Sequence, residues 1–450
     1  MKKIVLVLMA CVYTLGLWAQ ALVQSGPMLG HTDLRSAQVW ISLVPQATVT
    51  ATAAADGKTV TALVTKDDNA YNNIQRVQFY NLEPGTTYQY TLQITAAKQK
   101  STVTGSFTTQ SLWQFRRPAP DFSFLAGSCT FFNEPQYDRP GKPYGGDSSI
   151  FEAMAKEKSD FMLWLGDNWY TREVDYYSVP GLHYRAAQTK ALPILQNFWK
   201  AMPHYAIWDD HDYGPNDADK SYVLKETSRK VFSQYWSNPS YGFENQGIYS
   251  KFTWNDVDVF LLDDRYFRSN DDMEDSVNGM PNTEKRMFGK QQIDWLKNAL
   301  LQSKTNGSIA FRIIATGSQV LNQVSPFDCF RKFPEEFNDF MNFLEQHNIN
   351  GVLFLTGDRH HTEIIKQERT GKYPLYDITA SPLTSGTHKF GGPEANNPYR
   401  VLGVDQLQNY AKLSFSGDKK NRKLTVQFLG IKGDLIKEWS VTAAELTTKK

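Results

Sequence analysis

The chain has 450 residues, a net charge of +1 at pH 7, 41% hydrophobic residues and 13% aromatics. That length supports two or three domains and a large core. The balanced charge leaves no electrostatic case for a nucleic-acid or polyanion binder, and no internal repeat or low-complexity tract is present.

The first twenty residues read as an export signal. Lys2 and Lys3 precede an apolar run from Ile4 to Trp18, and Ala19-Gln20-Ala21 supplies small residues near a cleavage point. A transmembrane anchor is the competing reading, but the run is short for a span and no charged stop follows it. Leu8-Met9-Ala10-Cys11 resembles a lipoprotein box, so a lipid anchor at Cys11 is an alternative; apolar residues continue past Cys11, which favours ordinary cleavage. The expected location is periplasmic or secreted.

Residues 22–110 read as an all-β domain. Ala37–Leu43, Val77–Tyr80 and Tyr88–Leu92 alternate apolar with polar positions. Pro84-Gly85 marks a turn, and Tyr88 stands where a tyrosine corner ties such a turn down. Ser106–Thr109 closes the domain as an edge strand. The pattern resembles an immunoglobulin or fibronectin III-like sandwich. Arg116-Arg117-Pro118-Ala119-Pro120 follows as a stiff linker.

From Asp121 to about residue 445 the pattern is α/β. Helices are expected over 148–158, 290–303 and 335–346, and further strands over Val257–Leu262 and Phe311–Ala315. Leu424–Leu429 and Ile436–Val441 read as a hairpin too small to hold its own core, so it is expected to complete a sheet of this domain.

Four apolar runs in the α/β region stop abruptly at metal-binding residue types. Phe122–Ala126 leads to Gly127-Ser128-Cys129, and Phe161–Leu165 leads to Gly166-Asp167-Asn168-Trp169-Tyr170. Tyr205–Trp208 leads to Asp209-Asp210-His211-Asp212, and Val352–Thr356 leads to Gly357-Asp358-Arg359-His360-His361. Continuous apolar runs suit strands buried on both faces, and ligand sites lie off the carboxyl ends of such strands. The runs are therefore expected to deliver thiol, phenol, carboxylate and imidazole to one edge of a sheet.

Each motif has a bland counterpart. A lone Gly-Asp is more often a capped turn. The segment from Asp209 to Asp217 holds four carboxylates, an imidazole and an amide, and could be a solvated loop. Its apolar neighbours Trp208, Tyr213 and Pro215 favour a cation-bound cluster instead. Asp358 and His360 are two apart on an extended segment and would share one side, with His361 pointing elsewhere. Arg265 and Arg268 offer guanidinium forks for phosphate, with ion pairing to Asp263 and Asp264 as the alternative. Past the leader only Cys129 and Cys329 remain; a disulfide suits an exported protein, but the strand-end position of Cys129 argues for a ligand and Cys329 for a buried free thiol. Ser381–Gly386 reads as a loop framing the pocket, without assigned chemistry.

Together these segments resemble the alkaline phosphatase D (PhoD-like) metallophosphoesterases and, more distantly, the calcineurin-like superfamily. In that wider fold the first motif carries aspartate and histidine; here the matching strand end is Cys129, which favours the PhoD-like branch. The resemblance implies a layered β-sandwich core flanked by helices, a ferric ion (Fe3+) with calcium ions (Ca2+) beside it, and hydrolysis of small-molecule phosphate esters outside the cytoplasm. Carried residue by residue, Cys129 and Tyr170 would hold the iron with Asp167, Asp358 and His360 close by. Asp167 would bridge to a second ion, and Asp210 of the Asp209-Asp210 pair and Asn216 would complete the oxygen-rich positions. Tyr213-Gly214-Pro215-Asn216 departs from the shorter acidic-to-asparagine stretch of many relatives.

The donor chemistry agrees. Thiolate, phenolate and carboxylate suit a trivalent ion, and oxygen donors suit calcium. A metal-held hydroxide would attack phosphorus, Arg265 would spread the developing charge, and His211 would protonate the leaving oxygen. The expected function is a secreted phosphatase acting on monoesters, with diesters as a second class. The alternatives are a phosphodiesterase or phospholipase-type hydrolase on the same metals, and a non-catalytic secreted binding protein with a Cys129–Cys329 disulfide.

Overall fold

A computed structural model describes residues 22–449; the leader and Cys11 lie outside the described residues. Two compact units are present. The first comprises residues 22–112, 186–204 and 234–237 of the described chain, and the second comprises the remainder from residue 113.

The first unit is built on eight strands: β1 (Val23–Thr32), β2 (Ala37–Leu43), β3 (Thr48–Ala55), β4 (Lys58–Thr61), β5 (Leu63–Lys66), β6 (Asn73–Phe79), β7 (Thr87–Ala96) and β8 (Gln99–Thr108). They form two four-stranded sheets, ordered β1-β2-β6-β5 and β4-β3-β7-β8. Alternation does the work here. Val49, Ala51 and Ala53 of β3 and Tyr90, Leu92 and Ile94 of β7 face Val39, Ile41, Val77 and Phe79 across one core. The Tyr88 hydroxyl accepts the Glu83 backbone N–H at 2.9 Å, which ties down the Pro84-Gly85 turn.

The second unit holds β9 (Phe122–Gly127), β10 (Phe161–Leu165), β11 (His204–Ile207), β12 (Ser250–Trp254), β13 (Val257–Leu261), the short pair β14 (Ser276–Val277) and β15 (Met280–Pro281), β16 (Phe311–Ala315), β17 (Val352–Thr356), β18 (Thr362–Gln367), β19 (Leu375–Thr379), β20 (Arg400–Val404), β21 (Asn409–Ser416), β22 (Lys423–Gly430) and β23 (Leu435–Thr442). One sheet runs β11-β10-β9-β21-β22-β23 and the other β12-β13-β16-β17-β19-β18-β20. Strands β13, β16, β17 and β19 pair in parallel, as do β9 and β10. Phe124, Leu163, Leu413 and Val426 from the first sheet share a core with Val259, Ile313, Leu353 and Ile378 from the second. This is a mixed α/β sandwich preceded by an all-β region.

Two expectations change. The four strands with polar ends do not share a sheet: β9, β10 and β11 lie in one and β17 in the other. The helix expected over 148–158 is confined to Ile150–Met154, because the chain must turn at once into β10, where the Asp160 N–H bonds the Ser123 carbonyl at 2.7 Å. The other two expected helices run Gly289–Thr305 and Pro334–Gln346, and the C-terminal hairpin β22–β23 extends the β9 sheet through β21.

Candidate metal centre

Beyond the ends of β9, β10 and β17 the backbone is strained at chosen points. Cys129, Asp167, Asp358 and His360 have φ of 61°, 52°, 64° and 55°. Side-chain-bearing residues rarely adopt this left-handed region, at a cost of about 1–3 kcal/mol each, and such residues cluster at functional sites. Glycines make the close approach feasible. A Cβ at Gly357 would sit 2.5 Å from the Leu165 carbonyl oxygen, and one at Gly166 (φ 89°) would sit 2.7 Å from the Asp209 Cβ.

Those turns bring the side chains of Cys129, Asp167 and His360 to one point, with the Asp358 backbone carbonyl 3.4 Å from Cys129 Sγ. Single ligand atoms of Cys129, Asp167 and His360 lie within 4.8 Å of one another, and those of Asp167, Asp210 and His211 form a second such group. Cys129 Sγ is 3.6 Å from Asp167 Oδ2. The Tyr170 hydroxyl donates to Asp167 Oδ2 at 2.9 Å and lies 3.2 Å from His360 Nε2. The Gly386 carbonyl, which can only accept, is 2.7 Å from His360 Nδ1. Nδ1 therefore carries the proton and the Nε2 lone pair faces the cluster. The His211 ring lies on the Tyr170 ring with centroids 4.1 Å apart.

Asp210, His211, Asn216, Asp358 and His360 line a cleft of about 500 Å³, together with Asp167. Cys129 and Tyr170 are buried. Asn216 is exposed, and its amide donates to Asp217 at 2.5 Å rather than joining either donor group. Arg265 does not line the cleft. It is 1% exposed, with Nε 2.6 Å from Asp209 Oδ1 and Nη2 2.6 Å from Asp328 Oδ2. Arg268 joins Asp328 at 3.1 Å. Both guanidinium groups offered by the sequence for phosphate are thus engaged by carboxylates. Cys129 and Cys329 are both free and buried.

The sequence assigns no chemistry to several contributors, although it marks Ser381–Gly386 as a loop framing the pocket. Ser381 donates to Cys129 Sγ at 3.2 Å and accepts the His360 N–H at 3.0 Å. The Tyr144 hydroxyl is 3.0 Å from His360 Nδ1, and the His388 ring stacks on His360 at 4.7 Å. Asp212 accepts the N–H groups of Asn168 and Asp209 at 2.9 and 3.1 Å, fixing the β10 and β11 ends together. The density of acids around Asp209 pointed to Asp212 only as part of a run.

Electrostatics define what the site wants. Burial pushes the Asp167 carboxyl well above its usual range, and Asp210, Cys129, Asp212 and Asp358 add to the effect. Burial and then Asp358 push the Cys129 thiol up to about 11, against its hydrogen bonding with Ser128, Ser381 and Tyr170. Burial, followed by Asp167, raises Tyr170 well above its usual value. Asp358 rises to about 6 through burial, against Arg359. Asp210 moves down: burial opposes its charge, but His211, Arg265 and the Asp217 N–H outweigh it. Opposite charge within ~4–6 Å reverses such upward shifts. Buried thiol, phenol, carboxylate and imidazole converging on one point are a donor set that fits cations, the sulfur- and phenol-bearing end suiting a trivalent ion and the oxygen-rich end a harder divalent one.

A third group, His361, Glu363 and Glu394, is also within 4.8 Å. Arg400 binds Glu363 at 2.7 Å and Arg359 binds Glu394 at 2.7 Å. Two guanidinium groups already balance the two carboxylates, so this is an ion-pair network. His361 contributes through Nε2, 3.4 Å from Glu363.

Comparison with known proteins agrees with this geometry. The family model for PhoD-like phosphatases matches residues 124–417, and residues 20–111 match a domain of unknown function (DUF7800). Alkaline phosphatase D of Bacillus subtilis (strain 168) is 24% identical over 282 residues, 54% of this chain and 46% of that protein. The match thus spans about half the length of that relative. The solved structure titled "Structure of PhoD" superposes with a TM-score of 0.72 at 19% identity, covering 95% of this chain and 91% of that one; it shares the fold. With the family model matching well over half of its length, the chain belongs to the PhoD-like phosphatase family.

Proposed function

We propose that this protein is an exported, metal-dependent phosphoesterase that hydrolyses phosphate monoesters. The observation that carries the reading is the meeting of Cys129, Asp167 and His360 from separate strand ends within 4.8 Å. In this reading Cys129, Tyr170, Asp167 and His360 hold a ferric ion. Asp167, Asp210, Asp358 and Asn216 offer the oxygen donors for calcium. When bound, the cations supply Lewis acidity toward the phosphoryl oxygens and lower the pKa of the attacking water. His211, lying against Tyr170 at the cleft wall, protonates the leaving oxygen. Ser381 and Gly386 hold Cys129 and His360 in orientation. Arg265 acts as a strut, tying Asp209 beneath the site to Asp328 beside it. The leader pattern supports export to the periplasm or beyond, and no helix among the described residues is long and apolar enough to cross a membrane.

A second reading, diester hydrolysis at the same centre, is favoured by a groove of about 770 Å³ that shares Tyr144 and His388 with the cleft. It offers room for a second substituent on phosphorus.

Elemental analysis and turnover of a chromogenic monoester and diester test the proposal together. Iron with calcium, a visible charge-transfer band and faster monoester cleavage are expected. Fully active, colourless, iron-free protein would overturn the metal assignment. Fully metal-loaded protein inert to both esters would overturn the activity.

A further inference from the structure

The cleft is walled largely by carboxylates, among them Asp167, Asp210, Asp217, Asp328 and Asp358, yet its ligand in the phosphoesterase reading is an anion. With Arg265 and Arg268 absorbed by Asp209 and Asp328, the guanidinium that lines the cleft is that of Arg359. We propose that Arg359 grips the phosphoryl oxygens of the substrate, and that Glu394 and Phe327 position it to do so. The proposal rests on the phosphoesterase reading and names a residue that determines its affinity for phosphate.

Arg359 sits between Asp358 and His360 in the turn that leaves β17. Its side chain is 6% exposed. Glu394 Oε2 holds Nη2 at 2.7 Å, while Glu394 Oε1 is turned away to Asn322 at 3.0 Å. The pair is therefore monodentate. The Nε–H is buried and makes no hydrogen bond within the protein, and Nη1 stands 4.0 Å from Asp358. A guanidinium has five N–H donors in a rigid fork that matches phosphate oxygens, and a buried donor left unpaired is costly. Neighbouring Arg400 illustrates the alternative, a guanidinium spent on structure: its Nε bonds Glu363 at 2.7 Å and its Nη2 the Glu394 carbonyl at 2.8 Å.

The other support is aromatic. The Arg359 Cζ lies 4.4 Å from the Phe327 ring centroid. Phe327 is 56% exposed at the cleft wall. Its neighbour Asp328 is clamped by Arg265 and Arg268, so the ring is held against the guanidinium by a buried anchor. One face of Arg359 is covered and one nitrogen is tied back; unlike Arg265 and Arg268, whose Nη1 atoms are also without a protein acceptor, Arg359 lines the cleft.

The test uses the metal-loaded full chain and three variants: Arg359→Met, Arg359→Lys and Glu394→Gln. The readouts are KM and kcat for a chromogenic phosphate monoester, the inhibition constant of inorganic phosphate, and metal content. Losing a charge-assisted bond to phosphate should lower kcat/KM by about 10- to 100-fold in Arg359→Met. Phosphate inhibition should weaken in parallel, with metal content unchanged. Arg359→Lys should recover part of both, and Glu394→Gln should raise KM and the phosphate inhibition constant less than Arg359→Met does. Wild-type protein inactive on every ester would remove the underlying reading. Active wild type with an unaltered phosphate inhibition constant in Arg359→Met would overturn this proposal alone. Should Arg359→Met fail to fold, an unaltered phosphate inhibition constant in both Arg359→Lys and Glu394→Gln overturns it.

Discussion

Replacing Arg265 by methionine separates a strut from a phosphate ligand. Arg265 is 1% exposed and lies between Asp209, which is fully buried, and Asp328. Breaking a buried ion pair from one side typically costs about 3–5 kcal/mol, because the remaining charge is stranded. Asp328 keeps Arg268 at 3.1 Å, so one carboxylate rather than two loses its cation, and a value of about 3 kcal/mol is expected. That corresponds to a fall in melting temperature of roughly 5 °C for a domain of this size. Asp209 also caps the short helix Asp210–Tyr213, and asparagine can serve that cap equally well. The double variant Asp209→Asn/Arg265→Met should therefore regain at least ~1 kcal/mol relative to the sum of the single changes. The assay is a thermal melt of each protein beside its KM for a phosphate monoester. An unchanged melt with a raised KM would refute the strut and restore Arg265 as a ligand for substrate.

Other consequences are equally direct. Cys129→Ser should retain the fold while losing iron, the visible band and turnover, checked by elemental analysis and absorbance. In metal-free protein lacking the leader, burial that pushes the thiols of Cys129 and Cys329 up to about 11 and about 12 should leave both unreactive to a thiol reagent at pH 8 until denaturant is added. Gly357→Ala forces a Cβ to 2.5 Å from the Leu165 carbonyl, and a loss of about 1–3 kcal/mol with impaired metal uptake is expected from chemical unfolding and metal titration. Glu336 accepts the Met287 and Phe288 N–H groups at 2.8 and 3.0 Å, and burial raises its carboxyl from 4.5 to about 6. The folded state then holds a proton that the unfolded chain releases, so stability falls by ~2 kcal/mol in all as pH rises through both values, about 1 kcal/mol of it between 4.5 and 6. Glu336→Gln should remove that part of the slope in unfolding curves across this window.

What was legible in the sequence followed from abrupt endings. Cys129, Asp167, Tyr170 and His360 each follow an apolar strand within a few residues, so local pattern sufficed to single them out. Ser381 was not legible as a partner of Cys129, because 252 residues separate them and only the fold joins them. The sequence points Arg265 toward the substrate because its real partners, Asp209 and Asp328, lie 56 and 63 residues away. The expectation of one sheet failed for a related reason. β21 pairs with β9, Ala411 opposite Ala126, and that register from near the end of the chain gives the β9 strands a sheet of their own. Short-range periodicity carries no trace of such a pairing.

The division of donors between sheets has a mechanical consequence. Cys129 and Asp167 ride on one layer, Asp358 and His360 on the other. An ion held by Cys129 and Asp167 from one layer and His360 from the other would rivet the layers together at their edge, adding its own binding free energy to the resistance of the domain against shear and proteolysis. Chelation would then be felt well beyond the cleft, as a loosening of the whole sandwich.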